Sequence, residues 1–558
     1  KPENAEAYNS LGVAFYKQRQ LDEAIDSYTK AIKIKPAYSE PYNNMGLVLK
    51  DKGDLNAAAE FYNMALSISP TDAEAHCNMG LFLGERGDPE AAIVFYNKAL
   101  KLKPNFDSAR AHKLYQQAKI CDWAAIEEDR NLIPELGTLK QKTTPFSMLA
   151  IEDNPMHHRL RSEVFTAGSW PQHQLPLRIK PSKKPKRLRI GYFSADFHNH
   201  ATMYLMAKVF EMHDPEKFEL YAYSFGPNSN DEMRQRLIGA VDVFADVRLK
   251  SDKDIALLAQ KDKIDIAVDL KGYTGSSRFG IFAYRAAPIQ ISYLGYPGTS
   301  GAASMDYIVA DKIVIPRQFE TSYSESIIHL PHSYQVNDNT RVISESTITK
   351  LEMGLPEKGF VFCCFNNNYK ISSIEFNIWM RLLKEIKGSI LWLLKSNKNA
   401  ETNLRAEAAS RGISADRLVF AKHVPSAEHL ARHRLADLFI DTFNVNAHTT
   451  ASDALWAGLP IVTKLGNGFA ARVAGSLLTA IDLTELITKT NQQYEELILE
   501  LAKNPTRLAE IKKKLAMNRL SKPLFNTELF TKYLEDGYQQ AYARYFYDLD
   551  PDTIIVSS

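Results

Sequence analysis

Asn446-Ala447-His448-Thr449-Thr450-Ala451-Ser452-Asp453-Ala454-Leu455-Trp456-Ala457-Gly458-Leu459-Pro460 is the stretch on which the fold turns. The apolar run at 438–441 ahead of it reads as a buried strand, and the stretch itself opens a helix with Thr449 or Thr450 as N-cap. Strand, polar turn and helix start form the unit of an α/β layer fold. At such a turn the unpaired N–H groups and the positive end of the helix dipole make an anion site, to which two hydroxyls add donors. A diphosphate suits it. An ordinary capped helix has the same local sequence, so the reading depends on what lies around it.

Outward from that stretch, short apolar runs recur at 360–365, 390–394, 418–421 and 461–463, and an earlier series lies at 190–193, 218–224, 264–270, 289–294 and 307–310. Strands alternating with helical stretches imply parallel sheets covered on both faces. The polar segment 336–355 separates the two series, and helical patterns over 492–544 close the chain. Two doubly wound halves would bring strand-end loops around a shared ligand. The basic run Lys183, Lys184, Lys186, Arg187 and Arg189 has no interleaved aromatics and reads as a solvated linker rather than a nucleic-acid patch.

The first hundred residues differ in kind. Gly12, Gly46 and Gly80 recur every 34 residues, as do Ala24, Ala58 and Ala92, Tyr28, Tyr62 and Tyr96, and Pro36, Pro70 and Pro104. Each unit holds two helical periodicities and ends on the proline, which resembles the tetratricopeptide repeat in three full copies. A degenerate fourth unit from Asp107 is expected to cap the array. Stacked helix pairs build a concave face suited to an extended partner. Asn44 and Asn78 share one repeat position, where Ser10 stands in the first copy, and their amides could clamp a peptide backbone. The expected division is repeats at 1–118, a helical connector at 119–182, a first Rossmann-like half at 183–335, a second at 336–535, and a helix end and tail at 536–558.

The 558 residues carry 68 Lys plus Arg against 66 Asp plus Glu. A net charge of +2 does not suggest dominant attraction to nucleic acid or anionic membrane. The cysteines at 77, 121, 363 and 364 have no CxxC spacing, which suits a reducing compartment and no structural zinc. Without an apolar run of membrane-spanning length or a signal-like start, the chain reads as cytoplasmic. Its first residues, Lys1-Pro2-Glu3-Asn4, are the lead-in to a repeat, as in a piece of a longer protein.

Four further sets of residues carry chemistry. Lys370 follows the first strand of the second half, within Phe365-Asn366-Asn367-Asn368-Tyr369-Lys370, where an ammonium can meet the charge on a departing diphosphate. His429 and Arg432 lie at i and i+3 on a helical stretch and could face the same cleft. In the first half, Asp196-Phe197-His198-Asn199-His200-Ala201-Thr202 follows the first strand; one histidine could act as a base, oriented or made more basic by Asp196. A metal reading of the two histidines lacks further ligands nearby. Leu294-Gly295-Tyr296-Pro297-Gly298-Thr299-Ser300-Gly301 could let backbone approach a sugar or phosphate, or could be a tight turn.

Together these motifs resemble the O-linked N-acetylglucosamine transferases and SPINDLY proteins, in a form common among bacteria. The resemblance rests on the repeats followed in order by Arg189-Ile190-Gly191-Tyr192, Asp196-Phe197, Asn199-His200, Gly272-Tyr273-Thr274, Leu294 to Gly301, Met305-Asp306-Tyr307-Ile308, Tyr369-Lys370-Ile371 and His448-Thr449-Thr450. It implies a glycosyltransferase-B fold and inverting, metal-independent transfer from a UDP-sugar to Ser or Thr of proteins, with no cofactor beyond that co-substrate.

By the same resemblance Lys370 contacts the donor diphosphate and His448, Thr449 and Thr450 form its helix-start site. His429 and Arg432 belong to the uridine-binding stretch, Val424 to Ser426 supply backbone contacts to uracil, and Asp453 contacts ribose. His200 lies near the reacting centre, with Thr202 and Leu294 lining the sugar pocket. Asn367 stands where the animal enzymes have Gln, and Ser426 where they have Lys. A histidine that follows the animal repeats falls near Asn154 here, with His157 and His158 out of register, and a second is Tyr204. SPINDLY proteins use a GDP-fucose donor and lack the histidine of the His-Thr-Thr motif, so His448 favours UDP. The alternatives are a SPINDLY-like O-fucosyltransferase and an inactive peptide-binding scaffold. The metal-dependent reading of Asp548-Leu549-Asp550 is weaker, because that run lies in a polar tail.

Overall fold

Glycine meets tyrosine at the heart of each repeat. The 34-residue period folds as α1 (Ala5–Lys17), α2 (Leu21–Ile34), α3 (Ser39–Lys52), α4 (Leu55–Ile68), α5 (Ala73–Glu85) and α6 (Pro89–Leu102). A Cβ on Gly12, Gly46 or Gly80 would stand 2.5, 2.8 or 2.7 Å from the ring of Tyr28, Tyr62 or Tyr96. No side chain fits that gap, so the glycines set how closely the paired helices approach. This computed structural model describes residues 4–170, 175–176, 179–346 and 348–558; the lead-in residues 1–3 lie outside them, as does part of the connector.

The fourth unit departs from expectation. Helix α7 (Asp107–Lys119) is a joint, not a cap: Asn397 Nδ2 donates to Lys119 O at 3.0 Å, Asn403 Nδ2 to Ile120 O at 2.8 Å, and Trp123 Nε1 to Ile371 O at 3.0 Å. A cap keeps a polar outer face, whereas Ala111 and Leu114 are fully buried here. The connector continues through α8 (Trp123–Glu128), α9 (Pro145–Leu149) and α10 (Pro155–Ser169).

The first half is a parallel sheet of β1 (Leu188–Ser194), β2 (Phe218–Ser224), β3 (Val243–Asp246), β4 (Ile266–Asp269), β5 (Ile289–Ser292), β6 (Tyr307–Asp311) and β7 (Ser326–Leu330). The second comprises β8 (Val361–Cys364), β9 (Ile390–Leu394), β10 (Leu418–Ala421), β11 (Leu438–Ile440), β12 (Ile461–Lys464) and β13 (Ile487–Thr488), in the order β10-β9-β8-β11-β12-β13. In the first sheet β1 lies between β4 and β2, with Ile190 opposite both Ile266 and Leu220. The central strands are buried on both faces, as parallel sheets require.

The C-terminal boundary needs correction. β14 (Ile554–Ile555) completes the first sheet, in the order β14-β7-β6-β5-β4-β1-β2-β3, with Ile554 opposite Ile328. The helix Thr527–Phe546 crosses with it: Glu535 Oε1 lies 3.0 Å from His213 Nδ1 and accepts the Asp214 N–H at 2.7 Å, and Gly537 lets the helix pass against Ile328. The second half therefore ends before Thr527, and the chain from Thr527 onward belongs to the first. The segment expected as a polar separator is likewise built in: Val336, Asn337 and Asp338 are buried, and Asn337 O accepts the Thr527 hydroxyl at 2.7 Å.

Candidate active site

Lys370 ends a short turn after β8, and its Nζ donates to Asn446 O at 2.8 Å. Burial pushes its pKa down to about 8, with the Asp441 carboxylate opposing the shift, and the same burial raises Asp441. Asn366 ties the turn to the helix start. Its Nδ2 donates to Thr442 Oγ1 at 2.8 Å, and its Oδ1 accepts the Thr450 hydroxyl at 2.5 Å. Tyr369 packs on Tyr115 of α7 at 5.4 Å between ring centroids, so the repeat joint buttresses the lysine turn. Asn367 is exposed at the turn's edge.

The helix Thr449–Trp456 begins one residue earlier than expected, with His448 rather than Thr449 or Thr450 at the N-cap. The His448 ring does not cap, because its Nε2–H donates to Ala470 O at 3.0 Å. Ala451 and Ser452 reach back to His448 O at 3.1 Å each, while the N–H groups of Thr449 and Thr450 have no acceptor among the described residues. Burial, with Lys370 adding to it, pushes the His448 pKa down to about 3, so Lys370 rather than His448 supplies the positive charge.

Beyond that helix start, Asp453 is buried between His429 Nε2, 3.7 Å away, and Arg341 Nη1, 2.5 Å away. Arg341 also donates to Ser426 Oγ at 3.2 Å and stands over the Tyr204 ring at 5.6 Å. Arg432 Nη1 donates to Lys422 O at 2.6 Å, its guanidinium stacks over Phe365 at 4.6 Å, and Nη2 meets His429 Nδ1. Burial and the cations around it keep His429 neutral. Val424 and Arg432 line a cleft of about 290 Å³.

The first half meets this group where Arg341 stands over Tyr204. His200 is the N-cap of α11 (Ala201–Met212), and its Nδ1 accepts the Thr202 N–H at 3.2 Å. In the neutral ring the proton must then sit on Nε2, so that nitrogen is a hydrogen-bond donor. Asp196 lies 3.6 Å from His200 Nδ1, but its closer partner is the Lys271 ammonium, 2.6 Å from Oδ1. Burial lowers the His200 pKa, with Lys271 adding to the effect and Asp196 opposing it. Asp196 thus pulls the His200 pKa upward, in the direction expected of it, but burial and Lys271 outweigh it.

Leu294 holds a φ of +63°, in the left-handed region where a leucine is strained. A Cβ on Gly295 would collide with the carbonyl oxygen of Leu270. The rest of that loop is a packed turn: Thr299 Oγ1 and Ser300 N both bind Glu325, at 2.6 and 2.7 Å, and Gly301 abuts the α10 backbone. Asn154 caps α10, accepting from Met156 N and His157 N, while the Nε2 of the buried His158 pairs with Glu152 O at 2.7 Å. His157 pairs through Nδ1 with Glu152 Oε1 at 2.9 Å.

Asn44 and Asn78 join repeats to one another, with Nδ2 donating to Asn9 Oδ1 at 2.9 Å and Asn43 Oδ1 at 3.2 Å. Their partners sit one position earlier in the preceding unit, and only part of each amide is left for a peptide. Sequence reasoning passed over Lys271, Arg341 and Asn366. Lys271, at a strand's carboxyl end, bears the same signal that singled out Lys370; Arg341, in a polar linker, bears none. Among the described residues no three His, Cys, Asp or Glu side chains cluster as a metal site would need, and no helix is long and apolar enough to cross a membrane.

A helical repeat array joined to two parallel α/β halves, whose strand ends and helix starts share a cleft, defines a repeat-bearing protein of glycosyltransferase-B architecture. The sequence profile of glycosyl transferase family 41 matches residues 170–351 and 342–534, and tetratricopeptide repeat profiles match 5–38, 48–87 and 73–106. The chain belongs to glycosyl transferase family 41. It is similar to the probable UDP-N-acetylglucosamine–peptide N-acetylglucosaminyltransferase SEC of Arabidopsis thaliana, at 42% identity over 66% of this chain and 38% of that protein. The UDP-N-acetylglucosamine–peptide N-acetylglucosaminyltransferase of Caenorhabditis elegans is 29% identical over 64% of this chain and 41% of its own length. A relative from Hordeum vulgare, named as a probable enzyme of the same kind and as SPINDLY, is 29% identical over 65% and 39%. These matches span about two fifths of each relative. A solved structure of a Thermobaculum terrenum O-GlcNAc transferase mutant aligns with a TM-score of 0.71 at 25% identity, over 98% of both chains.

Proposed function

We propose that the chain is an inverting, metal-independent protein O-glycosyltransferase that moves N-acetylglucosamine from UDP-GlcNAc to Ser or Thr hydroxyls of protein acceptors held along the repeat groove. The observation that carries this reading is the half-buried Lys370 beside the open N–H groups of Thr449 and Thr450. A leaving diphosphate gains negative charge as the glycosidic bond breaks, and a fixed ammonium with two oriented amides stabilises it more in the transition state than before. Val424, Ser426, His429, Arg432 and Asp453 hold the nucleoside, and Asn367 reaches the donor from the turn's edge. Thr202, Leu294 and Gly295 border the sugar.

The acceptor hydroxyl attacks the anomeric carbon from the face opposite UDP. His200 donates from Nε2 to orient an oxygen of sugar or acceptor, and the hydroxyl proton leaves through water to solvent, while Asp196, held by Lys271, fixes the loop that carries His200. Holding both substrates in attack geometry supplies much of the barrier reduction. The names of the relatives support the sugar and the acceptor class. The deciding experiment incubates the chain with UDP-GlcNAc, GDP-fucose and a Ser/Thr peptide in excess chelator, then reads released nucleotide and peptide mass. Transfer from UDP-GlcNAc is expected; transfer from GDP-fucose alone overturns the donor assignment, and nucleotide binding without transfer favours the scaffold reading.

A further inference from the structure

A second cleft, of about 850 Å³, lies where the ends of the first helices of the repeats face the first α/β half. On the repeat side stand Lys17 at the end of α1, Arg19 and Lys50, and Arg86 just past α5. Opposite stands Arg278, with the loops Phe225-Gly226-Pro227 and Gly275-Ser276-Ser277. These loops follow β2 and β4, at the same sheet edge as His200. A Cβ on Gly226 would collide with the carbonyl oxygen of Ala195, so this wall abuts the residue before Asp196. The cleft's wall therefore packs against the loop that carries Asp196 and His200.

Its charges do not cancel. Arg19 pairs with Asp51 at 2.7 Å, Lys50 with Glu85 at 3.2 Å, and Arg278 with Asp252 at 2.6 Å. Lys17 and Arg86 are exposed and have no carboxylate within ion-pair distance among the described residues. Cations at helix C-termini complement the helix dipole, so on one face alone they would be unremarkable surface charge. Here a guanidinium faces them from the other domain. Burial lowers the Arg278 pKa, and Arg19 across the cleft adds to that cost. Like charges held across a gap favour an anionic occupant. The three carboxylates in the lining disfavour a densely charged phosphodiester chain and suit a polypeptide with spaced acidic residues.

We propose that this cleft receives an acidic stretch of the acceptor polypeptide, so that Ser or Thr residues flanked by Asp and Glu are the preferred substrates. The proposal rests on the reading of the chain as a protein glycosyltransferase, but its test is one of binding and does not need turnover. Three fluorescein-labelled decapeptides sharing one central serine, with Glu-rich, Lys-rich or Gln/Gly flanks, are titrated by anisotropy into the full chain with saturating UDP, at 50 and 300 mM salt. The Glu-rich peptide should bind at least 10-fold more tightly than the Lys-rich one at low salt, and the gap should narrow at high salt. Lys17→Glu with Arg86→Glu, both on exposed positions, should abolish or reverse the preference while UDP affinity stays within 2-fold. Equal affinities for the three peptides, or a preference that survives the double variant, would overturn the proposal, as would tighter binding of a ten-nucleotide oligo-dT than of the Glu-rich peptide. Acidic preference with no sugar transfer to any of the peptides would instead count against the proposed activity and leave the cleft's role standing.

Discussion

At the residue scale the site turns on two side chains whose protonation is set by their surroundings. Lys370 is charged below about pH 8 and loses its proton above it, because burial disfavours the ammonium. A diphosphate favours the charged form, so UDP affinity should fall as pH rises through that value, and Lys370→Arg should flatten the fall; calorimetric titration from pH 6.5 to 9.5 checks both. Lys370→Ala should lower transfer about 10²- to 10³-fold, the usual cost of one transition-state donor, with the fold retained. Retention is expected because Asp441 keeps the Ala447 N–H, the Thr442 N–H and the Thr463 hydroxyl, all within 2.8 Å. For His200 the capping bond makes a sharper distinction. Asn is as good an N-cap as any residue, so His200→Asn should preserve stability, whereas His200→Ala should cost about 1 kcal/mol. On the proposed donor role, His200→Asn should lose less than about 100-fold in kcat, well short of the up-to-10⁴-fold contribution of general bases. A larger loss, with the acid limb of the kcat profile gone, would restore the base role.

At the scale of elements, the parts legible in the sequence were those whose signal is local. The 34-residue period and the long apolar runs of β1, β2 and β9 announce themselves. β7 reads Ser-Ile-Ile-His-Leu, broken by polar residues, and β13 and β14 are two residues each, too short to show a pattern. The N-cap of the helix Thr449–Trp456 was misplaced because a carbonyl 22 residues away, that of Ala470, decides where the His448 ring goes. Lys370 and Thr450 were readable from strand-end position, but the pairing of Asp196 with Lys271, 75 residues on, is a tertiary fact. Arg341 is the most consequential of the hidden residues. It joins Asp453 and Ser426 of the second half to Tyr204 of the first, and its own backbone carbonyl accepts the Trp456 indole N–H at 3.0 Å. Removing one partner of a buried pair costs about 3–5 kcal/mol where the other charge is left uncompensated. Arg341→Met should therefore weaken UDP binding and destabilise the second half, and Asp453→Asn in the same chain should recover part of the stability. Additive losses in a thermal double-mutant cycle would show that the two residues do not act as a pair.

At the scale of the whole molecule, the chain is laced rather than strung. The repeats dock through α7 onto the second half, the connector's Asp153 accepts the N–H groups of Asn467 and Gly468 beyond β12, and the last helix and strand return to the first half. The first of these ties packs directly on the Lys370 turn, through Tyr115 against Tyr369, so the repeats help to hold the site as well as the molecule. The returning strand is the most testable of these ties. Ile554 and Val556 are 4% and 2% exposed, and the Val556 N–H donates to His329 O at 3.0 Å. Burying a side chain of that size is worth about 1.5–3 kcal/mol, so removing residues 553–558 should cost about 3–5 kcal/mol. It would also bare the edge of β7, a row of unpaired N–H and C=O groups that invites pairing with another chain. The expected outcome is a lowered first unfolding transition by calorimetry, concentration-dependent aggregation, and a second transition, still raised by UDP, that is little changed. Ile554→Ser with Val556→Ser keeps the backbone of the strand, so it should lower the first transition without the aggregation. If neither change moves that transition, the C-terminal strand is an appendage and the first half is complete without it.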